Sequence, residues 1–158
     1  MILSFTGTRR GTTPAQILAA FNLIITAAPE RFLHGGAVGA DTEIDWLVAP
    51  WFWENGIGQN RLMMVMDDSD LPIGVYPSDT ERQTHWTCAV PYGAIREVYD
   101  PLPPLKRNRI MARLCDRLIA CPAEQYGEVV RSGTWMTVRH ARTIGRPVTI
   151  VRPDGKVE

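Results

Sequence analysis

The chain has 158 residues, a length typical of one domain, and its 17 Lys and Arg residues balance 17 Asp and Glu residues. Hydrophobic residues make up 45% and charged residues 22%, which excludes a disordered chain, and no apolar run approaches the ~18 residues of a membrane span. The neutral total hides an asymmetry that indicates an interaction surface, because residues 1–100 hold 6 basic and 12 acidic side chains while residues 101–158 hold 11 basic and 5 acidic.

The first predicted strand and helix lie in residues 2–28. Residues 2–5 predict a short buried strand. A helix over 14–28 follows, because Thr13 is a good N-cap, Pro14 suits the first helical position and Gln16 completes a capping box. Its apolar side chains recur at helical spacing. They are Ile17, Phe21, Ile24 and Ala28.

A second strand and helix follow. Residues 32–34 predict the strand, and Asp41 is the expected N-cap of a helix that runs to about Glu54 and is ended by Asn55-Gly56. The side chains expected to face the core are Ile44, Leu47, Val48, Trp51 and Phe52.

The middle of the chain, residues 57–104, is predicted to be a variable insert or irregular region. Residues 60–66 fit either a strand or a helical turn, and residues 73–76 predict a strand. The acidic residues in 67–70 are typical of an exposed turn rather than a metal site. Residues 78–104 carry several prolines and are expected to be mostly irregular.

Strands and helices alternate again in the basic part of the chain. Residues 106–115 predict a helix with Ile110 and Leu114 inward, and residues 117–121 predict a strand. A last helix opens at 132–134 and stops at Gly145, before a strand at 147–151. This alternation predicts a single Rossmann-like α/β domain over 1–158, with a mainly parallel sheet and helices on both faces.

Three loops at strand ends are the predicted site. Residues 6–9, 35–41 and 132–134 each carry Gly with Thr, Ser or Asp, and each leads to a helix. Ligands of such sheets bind at the carboxyl ends of the strands, and glycine loops at helix N-termini suit phosphate. Neither G-x-G-x-x-G nor G-x-x-x-x-G-K-[ST] is present, which excludes ordinary dinucleotide and P-loop sites.

Arginines in or beside these loops fit a phosphate ligand, because their guanidinium groups pair with it bidentately. We expect no metal and no cofactor. The three cysteines lack metal-ligand spacing and are typical of buried thiols in a reducing cytoplasm. The predicted ligand-binding residues are Gly7, Thr8, Arg9, Gly35, Gly36, Ala37, Gly39, Asp41, Arg107, Asn108, Arg109, Ser132, Gly133, Thr134 and Trp135. Lys106 and Arg131 add positive charge beside them.

Several short motifs, in order along the chain, resemble the SLOG superfamily. They are Phe5-Thr6-Gly7-Thr8-Arg9, His34-Gly35-Gly36-Ala37-Val38-Gly39-Ala40-Asp41, Lys106-Arg107-Asn108-Arg109, Arg131-Ser132-Gly133-Thr134-Trp135 and Gly145-Arg146-Pro147-Val148. The superfamily includes DprA-type DNA-processing proteins, LOG phosphoribohydrolases, YpsA-type proteins and nucleotide-sensing domains of defence systems. The resemblance implies a Rossmann-like fold, a nucleotide-type ligand at these loops and often a dimer.

One departure bears on catalysis. LOG enzymes resemble P-G-G-x-G-T-x-x-E with a catalytic Glu, and Thr137 stands at that position here. A threonine cannot take the role of a carboxylate in glycosidic chemistry, although Glu128 lies close enough in sequence to be a substitute. The match to DprA is closer at 107–109 and 132–134, which implies single-stranded DNA binding as an alternative.

Three residues have two interpretations each. Trp135 is either a stacking surface for a base or a packing residue. Asp41 either binds a ribose or only caps its helix, and Asn108 either caps a helix or binds a sugar or base edge. His34 is expected to be structural.

The resulting hypothesis is a cytoplasmic module that binds a small anionic ligand, either a nucleoside phosphate or an ADP-ribose-like signal. It would act as a sensor, a sequestering module or a processing module, and as a homodimer or higher homo-oligomer with no membrane contact. The alternatives are DprA-like binding of single-stranded DNA and LOG-like N-glycosidic hydrolysis. If the protein is an enzyme, it is expected to be an N-glycosidic or phosphoryl hydrolase of nucleotides.

Overall fold

A computed structural model of the protein describes residues 1–55, 73–75, 96–98 and 102–158. The described strands are β1 (Ile2–Gly7), β2 (Arg31–His34), β3 (Ile73–Val75), β4 (Arg96–Val98), β5 (Arg117–Cys121) and β6 (Val148–Ile150). The described helices are α1 (Pro14–Ala27), α2 (Ala40–Glu54), α3 (Pro104–Leu114) and α4 (Gly133–Thr143).

The strands within these residues form one parallel sheet in the order β4-β3-β2-β1-β5-β6. Leu3 of β1 is in register with Phe32 of β2 on one side and with Arg117 of β5 on the other. The strand order therefore reverses between β1 and β5, which is the topological switch point of a doubly wound sheet. The predicted Rossmann-like α/β fold is confirmed.

Helices cover both faces of the sheet because neighbouring residues of a strand point to opposite sides. On β5, Ile119 and Cys121 join a core cluster with α1 and α2. Leu118 and Ala120 point the other way, into a cluster with α3 and α4. This alternation along one strand builds the two apolar layers that hold the helices on the sheet.

The start of α1 confirms one part of its sequence prediction and corrects another. The Thr13 hydroxyl accepts a hydrogen bond from the amide of Gln16 at 3.1 Å, as an N-cap does. Gln16 does not complete a capping box. Its buried side-chain amide donates to the carbonyl oxygens of Pro122 at 2.9 Å and Val151 at 2.7 Å, so it joins the helix to β5 and β6.

The predicted inward faces of the other helices are partly wrong. In α2, Ile44, Val48 and Phe52 are buried, whereas Leu47 is 42% exposed. In α3, Leu114 is 45% exposed and Ile110 is half-buried. The buried face of α3 instead follows Arg107, Asn108, Met111 and Ala112, because its first turns face a polar cavity rather than the apolar core.

Two element boundaries also differ from the prediction. Helix α3 begins at Pro104, two residues early, and β4 lies at Arg96–Val98, so the segment 78–104 is not irregular throughout. The predictions for residues 60–66 and 67–70 fall outside the described residues. No helix in the described part of the chain is long and apolar enough to cross a membrane.

The two cysteines that the structure describes have the expected character. Cys115 and Cys121 are buried and unpaired. Burial raises the pKa of the Cys115 thiol to about 11 and raises that of Cys121 further. Both therefore behave as small apolar core residues, while Cys88 lies outside the described residues.

Candidate functional site

A cavity of about 490 Å³ opens at the carboxyl edge of the sheet, beyond the ends of the paired strands β1 and β5. Thr6 and Gly7 at the end of β1 line one wall, and Glu124 after β5 lines another. The first turns of α2, α3 and α4 complete it. The cavity thus occupies the switch point, where open α/β sheets bind their ligands.

Ten of the predicted site residues meet at this cavity and five do not line it. The ten are Gly7, Thr8, Arg9, Ala37, Asp41, Arg107, Asn108, Ser132, Gly133 and Thr134. Those that do not line it are Gly35, Gly36, Gly39, Arg109 and Trp135. The lining also includes residues outside the predicted set, namely Thr6, Arg10, Pro104, Leu105, Ala123, Glu124, Val129 and Arg131.

The N-terminus of α4 presents backbone N–H groups at the cavity. The Ser132 hydroxyl accepts from the amide of Trp135 at 3.3 Å, and the first intrahelical bond runs from Met136 to Ser132. The amides of Gly133 and Thr134 precede that bond, so helix geometry gives them no partner within α4. Such amides at the positive end of a helix dipole suit an anion.

Arg107 places a fixed positive charge at the buried side of the cavity. Its side chain is 6% exposed. Nε donates to Asn108 Oδ1 at 2.9 Å, and one terminal nitrogen donates to the carbonyl oxygen of Gly35 at 3.2 Å. The guanidinium is therefore held in one orientation before any ligand binds.

Gly35 is required by this packing. A Cβ added at Gly35 would lie 2.9 Å from Asp41 Oδ2 and 3.0 Å from Arg107 Cζ. The sequence predicted that Gly35 would contact the ligand. In the structure its small size lets the Arg107 and Asp41 side chains approach the loop backbone.

Asp41 stabilises the loop before α2. The helix begins at Ala40, so Asp41 lies in its first turn and is not the N-cap. Its Oδ2 accepts from the amide of Ala37 at 3.2 Å. Burial raises the pKa of this carboxyl, although the nearby His34 and Arg107 oppose the shift.

Asn108 is the fifth residue of α3, so it does not cap that helix. Its Oδ1 accepts from Arg107, and its Nδ2 donates to the carbonyl oxygen of Gly133 at 3.4 Å. Asn108 thereby links two cavity walls, α3 and the start of α4. Of the two interpretations of Asn108, a helix cap or a contact to a sugar or base edge, the helix cap is wrong.

Trp135 packs inside the protein and has no exposed face for a base. The side chain is 0% exposed, its Nε1 donates to Glu124 Oε2 at 2.8 Å, and the Arg152 guanidinium lies 5.2 Å from the ring centroid. Of the two interpretations of Trp135, the structure favours packing. The interpretation of Trp135 as a stacking surface for a base is wrong, because an enclosed indole cannot stack on a ligand.

Glu124 lines the cavity but is not among the residues predicted from the sequence, although a signal for it is present. It is the first acidic residue after β5, and the carboxyl ends of the strands beside a switch point carry the ligand site. Glu128, the possible substitute for the catalytic carboxylate of the LOG motif, does not line the cavity. Glu128 pairs instead with Arg142 at 2.6 Å and Arg139 at 3.8 Å.

Thr137 and His34, two further residues that the sequence motifs single out, lie inside the protein. Thr137 is fully buried, and its hydroxyl donates to the carbonyl oxygen of Gly133 at 2.9 Å. His34 is also fully buried; its Nδ1 accepts from the amide of Gly36 at 3.2 Å, and its Nε2 lies 3.6 Å from Asp45 Oδ1. Both side chains stabilise the loops that carry the site.

The described residues that line the cavity carry unequal numbers of opposite charges. Four of them are arginines and two are carboxylates. The arginines are Arg9, Arg10, Arg107 and Arg131, and the carboxylates are Asp41 and Glu124. An excess of guanidinium groups in a concave site favours an anionic ligand. Among the described residues, no three His, Cys, Asp or Glu side chains are grouped to hold a metal ion.

No protein-family model matches the chain, and no curated protein matches it. Among solved structures, the chain is similar to the crystal structure of TM1055, a structural genomics target, with 16% sequence identity and a TM-score of 0.48. That similarity covers 93% of this chain and 71% of the other.

Proposed function

We propose that the protein binds a nucleotide or a nucleotide-derived molecule, either a nucleoside phosphate or an ADP-ribose-like compound, in the cavity at the switch point. The observation that carries the proposal is the convergence of four arginines and the N-terminus of α4 on one cavity. Each of these features favours an anion. Binding of this kind serves a sensor, a sequestering module or a processing module.

The size of the cavity supports a small ligand. Ligand pockets commonly measure about 300–1,000 Å³, and this one measures about 490 Å³. A mononucleotide fits such a volume, whereas a long strand requires an extended groove with several stacking aromatics. Trp135 is enclosed, so of these two aromatic residues only Tyr126, which lies in the loop after β5 and is 85% exposed, is open to stack on a base.

The positions of the arginines suggest how a phosphate would be held. Arg107 is buried and fixed by its hydrogen bonds, so it supplies a preorganised contact. Arg131 is exposed, directly before the α4 N-cap Ser132, so its side chain can close on a phosphate at the amides of Gly133 and Thr134. Charge-assisted bonds of this type contribute about 1.5–3 kcal/mol each.

Calorimetry with AMP, ATP, ADP-ribose and inorganic pyrophosphate tests the proposal. Arg131→Ala is expected to weaken the affinity for the bound ligand by about tenfold or more, the equivalent of one charge-assisted hydrogen bond. Arg117→Ala is the matched control, because Arg117 is exposed at the amino end of β5, on the opposite edge of the sheet. Absence of binding to every ligand at millimolar concentration would overturn the proposal.

The same preparations distinguish the two alternatives. A single-stranded oligonucleotide that binds more tightly than AMP, with an affinity that falls steeply with salt, would favour DprA-like DNA binding. Release of free base from nucleoside monophosphates, detected by chromatography, would favour a LOG-like hydrolase. We expect neither result, because Thr137 is a buried threonine and Trp135 offers no stacking surface.

A further inference from the structure

The cavity contains an anchored carboxylate that binding of a bare anion does not require. Glu124 lines the cavity and is half-buried. Its Oε2 accepts a hydrogen bond of 2.8 Å from Nε1 of Trp135. Behind it, Arg152 lies over the Trp135 ring and donates to the backbone oxygen of Glu124 at 3.3 Å. Both the side chain and the main chain of Glu124 are therefore fixed.

This anchoring leaves a defined acceptor toward the cavity. One oxygen of the carboxylate is engaged by the indole, and the structure shows no hydrogen bond from a described residue to the other, Oε1. Asp41, the other described carboxylate of the cavity lining, is 4% exposed and its Oδ1 is enclosed by the protein, so Glu124 is the carboxylate open to a ligand. An ionised carboxylate accepts hydrogen bonds and donates none, so the cavity presents an acceptor beside its cations.

The two kinds of group together restrict the ligand. A ligand made only of phosphate would be attracted by the arginines and repelled by Glu124. A cationic donor would satisfy Glu124 but would be repelled by the four arginines. A ligand that carries neutral hydroxyl donors near its anionic group satisfies both requirements. The ribose of a nucleotide has this arrangement, because its hydroxyls lie a few bonds from the phosphate.

We propose that Glu124 is a specificity-determining residue that accepts a hydrogen bond from a sugar hydroxyl of the ligand and disfavours anions that lack one. The proposal rests on the function proposed above and narrows it to ribose-bearing ligands. The indole of Trp135 is the positioning group, since it fixes the carboxylate that makes the contact.

The test is calorimetry with three probes: AMP, 2′,3′-dideoxy-AMP and inorganic pyrophosphate. The wild-type protein is expected to bind AMP about tenfold or more tightly than the dideoxy compound, because a buried polar group left unpaired is costly. Glu124→Ala should weaken AMP, strengthen the dideoxy compound, in whose complex the carboxylate is left unpaired, and strengthen pyrophosphate, from which it removes a repulsive charge. A gain for one anion with a loss for another cannot come from general damage to the fold.

Two further variants complete the design. Glu128→Ala is the matched control, since Glu128 lies four residues further along the same loop, is paired with Arg139 and Arg142, and does not line the cavity; it should change none of the three affinities. Trp135→Phe keeps the ring packing and removes the N–H, so it should lower the ratio of AMP to dideoxy-AMP affinity by less than Glu124→Ala does. If Glu124→Ala does not fold, the comparison is with the wild type: a lower ratio of AMP to dideoxy-AMP affinity in Trp135→Phe supports the hydroxyl contact, and an unchanged ratio refutes it.

The outcomes separate this inference from the function on which it rests. If AMP binds and Glu124→Ala weakens AMP, the dideoxy compound and pyrophosphate by the same factor, the hydroxyl contact is refuted and nucleotide binding stands. If pyrophosphate binds the wild type as tightly as AMP, the selectivity is refuted. If no probe binds at millimolar concentration, both proposals fail.

Discussion

A methyl group on Gly7 would overlap the Cβ of Ala40, so β1 and the first residue of α2 meet without an intervening side chain. The same junction is closed by the amide of Ala40, which donates to the carbonyl oxygen of Thr8 at 3.0 Å. The end of β1 therefore fixes where α2 begins. Both Gly7 and the first turn of α2 line the cavity, so this contact positions two of its walls.

Gly7→Ala is predicted to destabilise the protein. The new Cβ would also lie 3.3 Å from the Phe5 ring and 3.4 Å from the Cys121 carbonyl oxygen, so α2 must shift. Overpacking of this kind costs about 1–3 kcal/mol of unfolding free energy, measurable by urea denaturation. In the control Gly133→Ala the nearest atom is Asn108 Nδ2 at 4.0 Å, and we expect almost no loss. Equal stability of the two variants would contradict the prediction.

The features that the sequence predicted well are those fixed by local interactions. The Thr13 and Ser132 caps each bond an amide three residues away, so a short motif contains all the groups involved. The strand ends at 6–9 and 35–41 were recognisable because glycine and hydroxyl residues follow apolar runs directly. Parallel strands bring their carboxyl ends to one edge, which is why most of the predicted loop residues share a cavity.

The features that the sequence could not predict depend on distant partners. Trp135 is enclosed because Glu124 and Arg152 complete its surroundings, and neither contact follows from spacing along the chain. Gln16 has the position of a capping-box residue, yet its side-chain amide donates hydrogen bonds to carbonyl oxygens more than a hundred residues away. A local motif cannot show when a tertiary partner competes for the same side chain.

Gln16→Ala is predicted to cost about 2 kcal/mol or more of unfolding free energy. The substitution leaves the buried carbonyl oxygens of Pro122 and Val151 without their donor, and an unsatisfied buried group costs about 1–3 kcal/mol. Gln125→Ala is the control, because the hydrogen bonds found for Gln125 in the described part of the chain are exposed ones with Asp154. Denaturant titrations of both variants measure the difference, and a Gln16 variant no less stable than the Gln125 variant would be inconsistent with it.

Cys115 and Cys121 are predicted to resist alkylation in the folded protein. Burial raises the pKa of Cys115 to about 11, so about one molecule in a thousand carries the reactive thiolate at pH 8. The pKa of Cys121 is raised further by burial. Peptide mass spectrometry after iodoacetamide treatment should show no modification at either residue, and full modification after unfolding in urea. Rapid labelling of either thiol in the folded state would contradict this assignment.

Asp41→Asn is predicted to stabilise the protein increasingly as the pH rises. Burial raises the pKa of Asp41 above its ordinary value of 3.8, so the folded state retains the proton over a range in which the unfolded chain has lost it. By linkage, the contribution of Asp41 to stability falls as the pH rises from about 4 through the folded-state pKa. The asparagine side chain resembles the protonated, neutral carboxyl and can still accept a hydrogen bond from the amide of Ala37. The variant therefore does not lose stability as the pH rises.

The measurement is the unfolding free energy of the wild type and the variant in urea, taken between pH 4 and pH 8. The difference between them should be smallest near pH 4 and should grow toward neutral pH in favour of Asp41→Asn. Asp154→Asn is the control. Hydrogen bonds from the Gln125 side chain and the amide of Lys156 lower the pKa of that exposed carboxyl, so its contribution to stability is fully present above pH 4 and is lost only below that range. The effect of Asp154→Asn should therefore stay constant between pH 4 and pH 8. A gain for Asp41→Asn that is constant with pH would show that the effect comes from packing and not from the buried charge.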